Sequence, residues 1–233
     1  MRILVIGDLH GHNSWKSIVE NEIFDKVIFL GDYLDSFTLV PEVIENNLKD
    51  LIEYKKSNMD KCILLYGNHD HSYYHGERCS GYNLYGRKLY EPLLEKMFNE
   101  NLIQLIHVED DIIYSHAGVS KYWLKEVAGL DKPEDITFEW LEGTNIGFDL
   151  LNWNCLTGYD GYGDTISQSP LWIRPNSLLK DKLENYRQIV GHTSMIKPIT
   201  EEGIWFNDMM PKYYIIVEDG EIKFQENKYY EKV

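Results

Sequence analysis

Five short stretches of this chain set a carboxylate, an amide or an imidazole close to glycine: Gly7-Asp8-Leu9-His10-Gly11, Gly31-Asp32-Tyr33-Leu34-Asp35, Gly67-Asn68-His69-Asp70, Ser115-His116-Ala117-Gly118 and Gly191-His192-Thr193. A hard dication that activates water needs oxygen ligands and neutral imidazoles, with open positions left for water and substrate. Asp8, His10, Asp32, Asn68, His116 and His192 are all of that type. Glycine removes the Cβ atom that would block a tight turn or a close approach of backbone to ligand. A carboxylate in the middle stretch, such as Asp32, can bridge two cations. Taken singly each element says little, because a Gly-Asp pair usually marks a turn and a lone histidine usually packs or faces water. Their joint occurrence points to chemistry.

The secondary structure that carries these groups can be read from the apolar pattern. Arg2 to Ile6, Lys26 to Leu30 and Cys62 to Tyr66 are short, continuous apolar runs, each ending in one of the first three stretches. Such runs suit strands buried on both faces. Ser14 to Glu22, opening on a Ser cap, and Pro41 to Lys56, with Val43, Ile44, Leu48, Leu51 and Ile52 on one face, predict intervening helices. Strand alternating with helix implies parallel pairing with right-handed crossovers, which delivers all three loops to one carboxyl edge of the sheet. Beyond an amphipathic segment at Tyr90 to Phe98, apolar runs at Leu102 to His107, Asp111 to Ser115, Gln188 to Val190, Ile204 to Phe206 and Tyr213 to Val217 predict a second sheet packed on the first. Glu226 to Val233 is expected to fray. The run from Ser72 to Gly86, rich in tyrosine and glycine, suits either a wall beside the site or an ordinary surface loop.

Composition bounds the rest. At 233 residues and 43% hydrophobic content, with no break in composition, the chain is expected to form one domain. A net charge of -15 opposes extended nucleic-acid binding, although two bound cations would dominate the potential of a small phosphate site. Cys62, Cys79 and Cys155 are odd in number and widely spaced, which fits neither a disulfide framework nor a thiolate metal site and suits a reducing cytoplasm. The apolar stretch Ile3 to Ile6 is too short for a signal peptide or a membrane span, so no membrane association is expected.

The ordered set of five motifs resembles the signature of the calcineurin-like metallophosphoesterases and extends from the first strand to about residue 193. That resemblance implies an α/β fold in which a two-sheet β sandwich is flanked by helices, with the site at the strand ends. It implies two divalent metal ions, with manganese first among Mn, Fe, Zn, Co and Ni. Asp8, His10 and Asp32 would hold one ion; Asp32, Asn68, His116 and His192 the other. His69 would be the general acid and Asp35 its orienting carboxylate. Ser194 stands where many members carry a further histidine, so the pattern looks like the phosphoprotein phosphatase branch, which includes dinucleoside tetraphosphate hydrolases.

Within that branch the second motif usually ends in Asp-Arg, whereas here Asp35 is followed by Ser36, and serine cannot imitate a guanidinium fork on phosphate. Arg174, in Trp172-Ile173-Arg174-Pro175, resembles the branch's second phosphate-binding arginine; Arg78 and Arg87 are weaker candidates to replace the missing one. The expected substrate is a phosphorylated small molecule, a nucleotide or a phosphoprotein. A phosphomonoester reading leads, a phosphodiester or dinucleoside polyphosphate reading comes second, and a silent metal-binding scaffold is the reading from another class. His12 is a rim candidate, His71 and His107 suit structural or surface places, and Asp160 and Asp164 suggest a turn because the regular spacing of a calcium loop is lacking.

Overall fold

A computed structural model of the chain describes residues 1–153 and 164–229; Cys155, Asp160 and the last four residues lie outside the described residues. The first three apolar runs form strands β1 (Arg2–Ile6), β2 (Lys26–Phe29) and β3 (Cys62–Leu65), separated by helices α1 (Trp15–Asn21) and α2 (Pro41–Ser57). They pair in parallel, β1 with β2 and β2 with β3, so their carboxyl ends share one edge as the crossover argument requires. After α3 (Asn68–His75) and α4 (Leu84–Asn99), the run at Leu102 to His107 divides. Ile103–Gln104 is β4, parallel to β3, while Ile106–Glu109 is β5, which leaves for the other sheet. Leu102, Ile103, Leu105 and Ile106 are buried on both sides of the change of sheet, so the apolar pattern hides it.

Strand β6 (Ile112–Ser115), α5 (Phe138–Glu142), α6 (Pro175–Lys180), β7 (Arg187–Ser194), β8 (Ile199–Glu201), β9 (Ile204–Asp208), β10 (Tyr213–Glu218) and β11 (Glu221–Glu226) complete the order. The first sheet runs β11-β10-β1-β2-β3-β4 and the second β5-β6-β7-β9-β8. This is the expected two-sheet sandwich with helices on its flanks. Side-chain alternation along β1 shows how it closes: Ile3 and Val5 join Ile28, Leu65, Ile112, Tyr114 and Ile189 between the sheets, while Leu4 and Ile6 join Phe29, Trp15, Leu48, Leu51 and Leu94 under the helices. A smaller cluster of Val190, Ile204, Phe206 and Leu178 covers the outer face of the second sheet.

Local expectations fared unevenly. Ile44, Leu48, Leu51 and Ile52 are buried, but Val43 is 46% exposed at the margin of the α2 stripe. Ser14 makes no side-chain cap, and its hydroxyl is buried without a hydrogen-bond partner. β8 and β11 escaped the sequence reading because both are edge strands; β11 holds only Ile222 and Phe224 as apolar residues among charged ones. Frayed ends were expected from Glu226, yet Asn227 is buried, donates to the Pro211 and Lys212 carbonyls, and is followed by Tyr229, whose hydroxyl meets Glu22. Ser72 to Gly86 is mostly exposed, as a surface segment would be, but it is anchored by Tyr73, which is buried, stacks on Tyr82 at 4.6 Å and meets Tyr90 edge-on at 5.0 Å.

The sheets touch most closely where β1 ends. A Cβ built on Gly7 would lie 1.9 Å from the Asn207 carbonyl oxygen at the end of β9, a backbone atom that cannot swing away. Gly7→Ala should therefore cost at least about 2 kcal/mol in denaturant unfolding through forced overpacking, and a change under about 0.5 kcal/mol would mean that the two sheets are not pinned there.

Candidate metal centre

All five motif stretches meet at the carboxyl edge. Asp8 follows β1, Asp32 follows β2, Asn68 and His69 open α3 behind β3, and His116 follows β6. His192 is the exception to the expected strand-then-loop pattern, for it lies inside β7, where the ladder to β9 is interrupted between Val190 and Ser194. The cost of assembling these groups is visible in the backbone. His10, Asp32, Asp35 and His192 have φ of 44°, 51°, 69° and 64°, a left-handed conformation that side chains with a Cβ adopt at a penalty of about 1–2 kcal/mol each.

What offsets that penalty is a set of backbone clamps. The fully buried Asp70 accepts from the amides of Asp32 (2.9 Å), Tyr33 (3.0 Å) and Gly67 (3.1 Å), tying the second and third stretches together. Asp32 accepts from the His69 amide at 2.9 Å, and the two carboxylate oxygens of Asp8 receive the His192 amide at 3.2 and 2.9 Å. Glycine is required in the contacts themselves. A Cβ on Gly67 would lie 2.3 Å from Asp32 Oδ1, and one on Gly191 would lie 2.0 Å from Asp8 Oδ1.

At the centre, Asp32 Oδ2 is faced by three imidazole nitrogens: His116 Nε2 at 3.5 Å, and His10 Nε2 and His69 Nε2 at 3.9 Å each. Nδ1 of His10 donates to the Leu34 and Asp35 carbonyls and Nδ1 of His116 to the Leu30 carbonyl, which leaves both Nε2 atoms as lone pairs aimed inward. Asn68 Oδ1 sits 2.7 Å from His116 Nε2 and 2.8 Å from His192 Nδ1. Ligand atoms of Asp8, Asp32 and His116 lie within 4.8 Å of one another. With its Nδ1 hydrogen given to Leu30, His116 Nε2 faces Asn68 Oδ1 as acceptor against acceptor, an arrangement that is repulsive by itself and favourable around a cation, so the residues present fit divalent metal ions.

The electrostatics agree. Burial, then the charges of Asp208 and Asp32, push the Asp8 carboxyl well up. Burial acts to raise Asp32 too, but the facing imidazoles and the His69 amide outweigh it and hold Asp32 at about 2. Burial pushes His116 down, whereas His69 is pushed the other way. Burial alone would lower His69; the Asp32 charge, the hydrogen bond from Nδ1 to Asp35 Oδ2 at 2.9 Å and the neighbouring Cys79 lift it to about 12.

A family model described as calcineurin-like phosphoesterase matches residues 1–212, which include every one of these residues. The chain belongs to the calcineurin-like phosphoesterase family. It is accordingly a metal-dependent hydrolase of phosphoric esters. No curated protein sequence gives a significant match. Among solved structures, a cold-active protein-tyrosine phosphatase of a psychrophilic Shewanella is similar over 98% of this chain and 78% of its own, with 17% identity and a TM-score of 0.65. A protein serine/threonine phosphatase from Saccharomyces cerevisiae, with similarity to human phosphatase PP5, is similar over 97% and 79%, with 15% identity and a TM-score of 0.53.

The remaining candidates divide. Arg174 reaches this phosphoesterase centre: its Nη1 donates to Thr193 Oγ1 at 3.1 Å and to the His192 carbonyl at 3.4 Å, and the carboxylates of Asp164, Asp32, Asp208 and Asp8 all act on it. Asp164 is a cap, accepting from the Ser177 amide at 3.1 Å in the first turn of α6, and so steadies the segment that carries Arg174. The two stand-ins for the missing arginine do no such thing. Arg87 pairs with Glu91 at 2.9 Å and packs over Gly76, while Arg78 is exposed. Ser36 starts a turn instead, its hydroxyl accepting from the Thr38 and Leu39 amides. His12 is half-buried beside a surface groove with Asn13 and Lys16; His71 is fully buried against Asn152, and His107 pairs with Glu109. Two residues were missed. Asp70 stood in the third motif without a role. Asp208, held up to about 6 by burial and by Asp32, acts on Asp8, Asp32 and His10 from the end of β9; it follows the Ile204 to Phe206 run at one remove and has no glycine beside it.

Because its bound proton is held far above the ordinary 6.5, His69 contributes stability to the metal-free fold that is fully present below pH 6.5 and is lost as pH rises toward 12. In chelator-treated protein, the unfolding free-energy advantage of wild type over His69→Gln should shrink steadily from pH 6.5 to about 9; an advantage that is constant or grows contradicts the assignment.

Proposed function

We propose that this phosphoesterase is a dinuclear phosphomonoesterase whose first substrates to consider are phosphoproteins. The observation that carries the reading is the buried Asp32 carboxylate, which faces imidazoles from the first, third and fourth motif stretches while Asp8 and Asn68 complete the ring. Asp8, His10 and Asp32 form one ligand set and Asp32, Asn68, His116 and His192 the other, with manganese the ion to restore first. Bound there, two divalent cations would supply an activated water and neutralise charge on the phosphoryl group.

The protein's own groups do the rest. Asp35 holds the His69 ring by its Nδ1–H, which turns Nε2 and its proton toward the centre, where a leaving alkoxide needs one. Arg174, anchored through Thr193 and the His192 carbonyl, places a cation beside the same cavity to receive phosphoryl oxygens. Asp70 and the glycines keep these groups in register. Two proteins of the same fold are protein phosphatases by name, so a phosphopeptide belongs in the first panel of substrates. The sandwich and the family match over most of the chain support reading it as one catalytic domain, and the free Cys62 and Cys79 support a reducing, cytoplasmic setting.

One observation favours a second reading. With Ser36 committed to its own turn, no guanidinium follows Asp35, and the grip on a terminal phosphate is correspondingly weaker. A diester or a dinucleoside polyphosphate, which presents fewer charges on the attacked phosphorus, tolerates that loss better.

Metal-stripped protein reloaded with Mn²⁺ should hydrolyse an aryl phosphomonoester and a phosphopeptide faster than an aryl phosphodiester or a dinucleoside tetraphosphate; the reverse order transfers the assignment to the second reading. His69→Ala should keep its metal and lose about 10²–10⁴-fold in rate on alkyl phosphates, with a far smaller loss on aryl esters whose leaving group needs no proton. Equal losses on both would remove His69 from the proton-donor role.

A further inference from the structure

The geometry points to a second, inhibitory metal site on this chain, formed by Cys79, His69 and Asp35, in which a zinc-class cation takes the place of the proton that His69 shares with Asp35. The inference rests on the reading of His69 as the proton donor.

Three different ligand types meet at one point on the outer side of the donor pair. Cys79 Sγ lies 3.4 Å from His69 Nδ1 and 3.8 Å from Asp35 Oδ2, and the nitrogen and oxygen are 2.9 Å apart. Tetrahedral zinc, with bonds of about 2.3 Å to sulfur and about 2.0–2.2 Å to nitrogen and oxygen, sets its ligand atoms roughly 3.4–3.6 Å apart. Two of the three edges are therefore within a few tenths of an ångström of what zinc requires. The third, the His69–Asp35 hydrogen bond at 2.9 Å, must lengthen by about 0.5 Å to admit the ion. The loop keeps the thiol in place: Gly81, at φ +84°, lies so close to Asp35 that a Cβ would come within 2.6 Å of its carboxylate. Cys79 is free and half-exposed, so an ion can reach it.

The chemistry separates this site from the centre beside it. None of Asp8, His10, Asp32, Asn68, His116 and His192 offers sulfur, so thiolate selects for the softer ion at Cys79 and leaves manganese to the oxygen-rich cavity. Binding releases two protons, one from the Cys79 thiol and one from His69 Nδ1. The metal then holds the ring through Nδ1, and Asp35, taken up as a co-ligand, is withdrawn from orienting it for proton transfer. Inhibition should fall hardest on substrates with poor leaving groups.

The test uses the whole manganese-loaded protein, with Co²⁺ as an optical probe and Zn²⁺ as the inhibitor. Co²⁺ should produce a near-ultraviolet thiolate-to-cobalt charge-transfer band in wild type that is lost in both Cys79→Ser and Cys79→Ala. The Zn²⁺ concentration that halves alkyl phosphatase activity, each variant being compared with its own zinc-free rate, should rise about tenfold or more in those variants. In wild type, bound Zn²⁺ should protect Cys79 from alkylation, read by peptide mass spectrometry, which needs no variant to fold. A wild-type protein without the band, a band that survives both substitutions, unchanged zinc sensitivity, or no protection of Cys79 would each overturn the site. The optical and alkylation readouts require no turnover. An active enzyme without them loses this site and keeps the hydrolase reading, whereas a protein that shows them but hydrolyses none of the esters does the opposite.

Discussion

A single buried carboxylate organises this molecule. Asp32 is almost inaccessible to water, is held at a left-handed φ of 51°, and has imidazoles from three separate chain segments trained on one of its oxygens. An ionised group in such a place is expensive unless it is paired. The protein meets that demand with the His69 amide, with Asp70 fastening the Asp32 and Tyr33 amides, and with charge from outside the polypeptide. Most of the fold can be understood as the apparatus that keeps Asp32 there: parallel strands that end together, helices that cover their outer faces, and glycines that let neighbouring carboxylates touch backbone.

The same constraint explains why electrostatics on two scales do not conflict. A net charge of -15 spreads over the surface, while within the cavity the His116 Nε2 lone pair faces Asn68 Oδ1 and the carboxylates of Asp8 and Asp32 lie close by. Cations settle these acceptors. Arg174, under the influence of Asp164, Asp32, Asp208 and Asp8, is a positive group that the fold itself brings to the edge of that cavity. Asp35 does for His69 what the Leu34 and Leu30 carbonyls do for His10 and His116, fixing which nitrogen carries the hydrogen; the three differ in whether the inward-facing atom donates or accepts.

Much of this was legible in the residues alone, for physical reasons. Buried parallel strands write themselves as continuous apolar runs, and a site at their carboxyl ends must be built from the residues directly after each run. Asp8, Asp32, Asn68 and His116 could therefore be brought together on paper. What stayed hidden belongs to other physics. A bulge within β7 places His192, and periodicity does not register one residue of irregularity. Edge strands such as β11 carry charge to discourage pairing and so lose the apolar signature. The division of Leu102 to His107 between two sheets leaves no mark because Ile103 and Ile106, on either side of it, are both buried. Asp70 looked like one more motif acid, because three amides converging on a carboxylate are a property of loops folded against each other. Asp208 lacked the flanking glycine that drew attention to its companions.

The proposal that Asp32 bridges two cations is open to direct observation. Crystals grown with Mn²⁺ and measured on both sides of the manganese absorption edge should show two anomalous peaks per chain, both bonded to Asp32, one also bonded to Asp8 and His10 and the other to Asn68, His116 and His192. A single peak, or two peaks of which Asp32 touches only one, would contradict the bridging role.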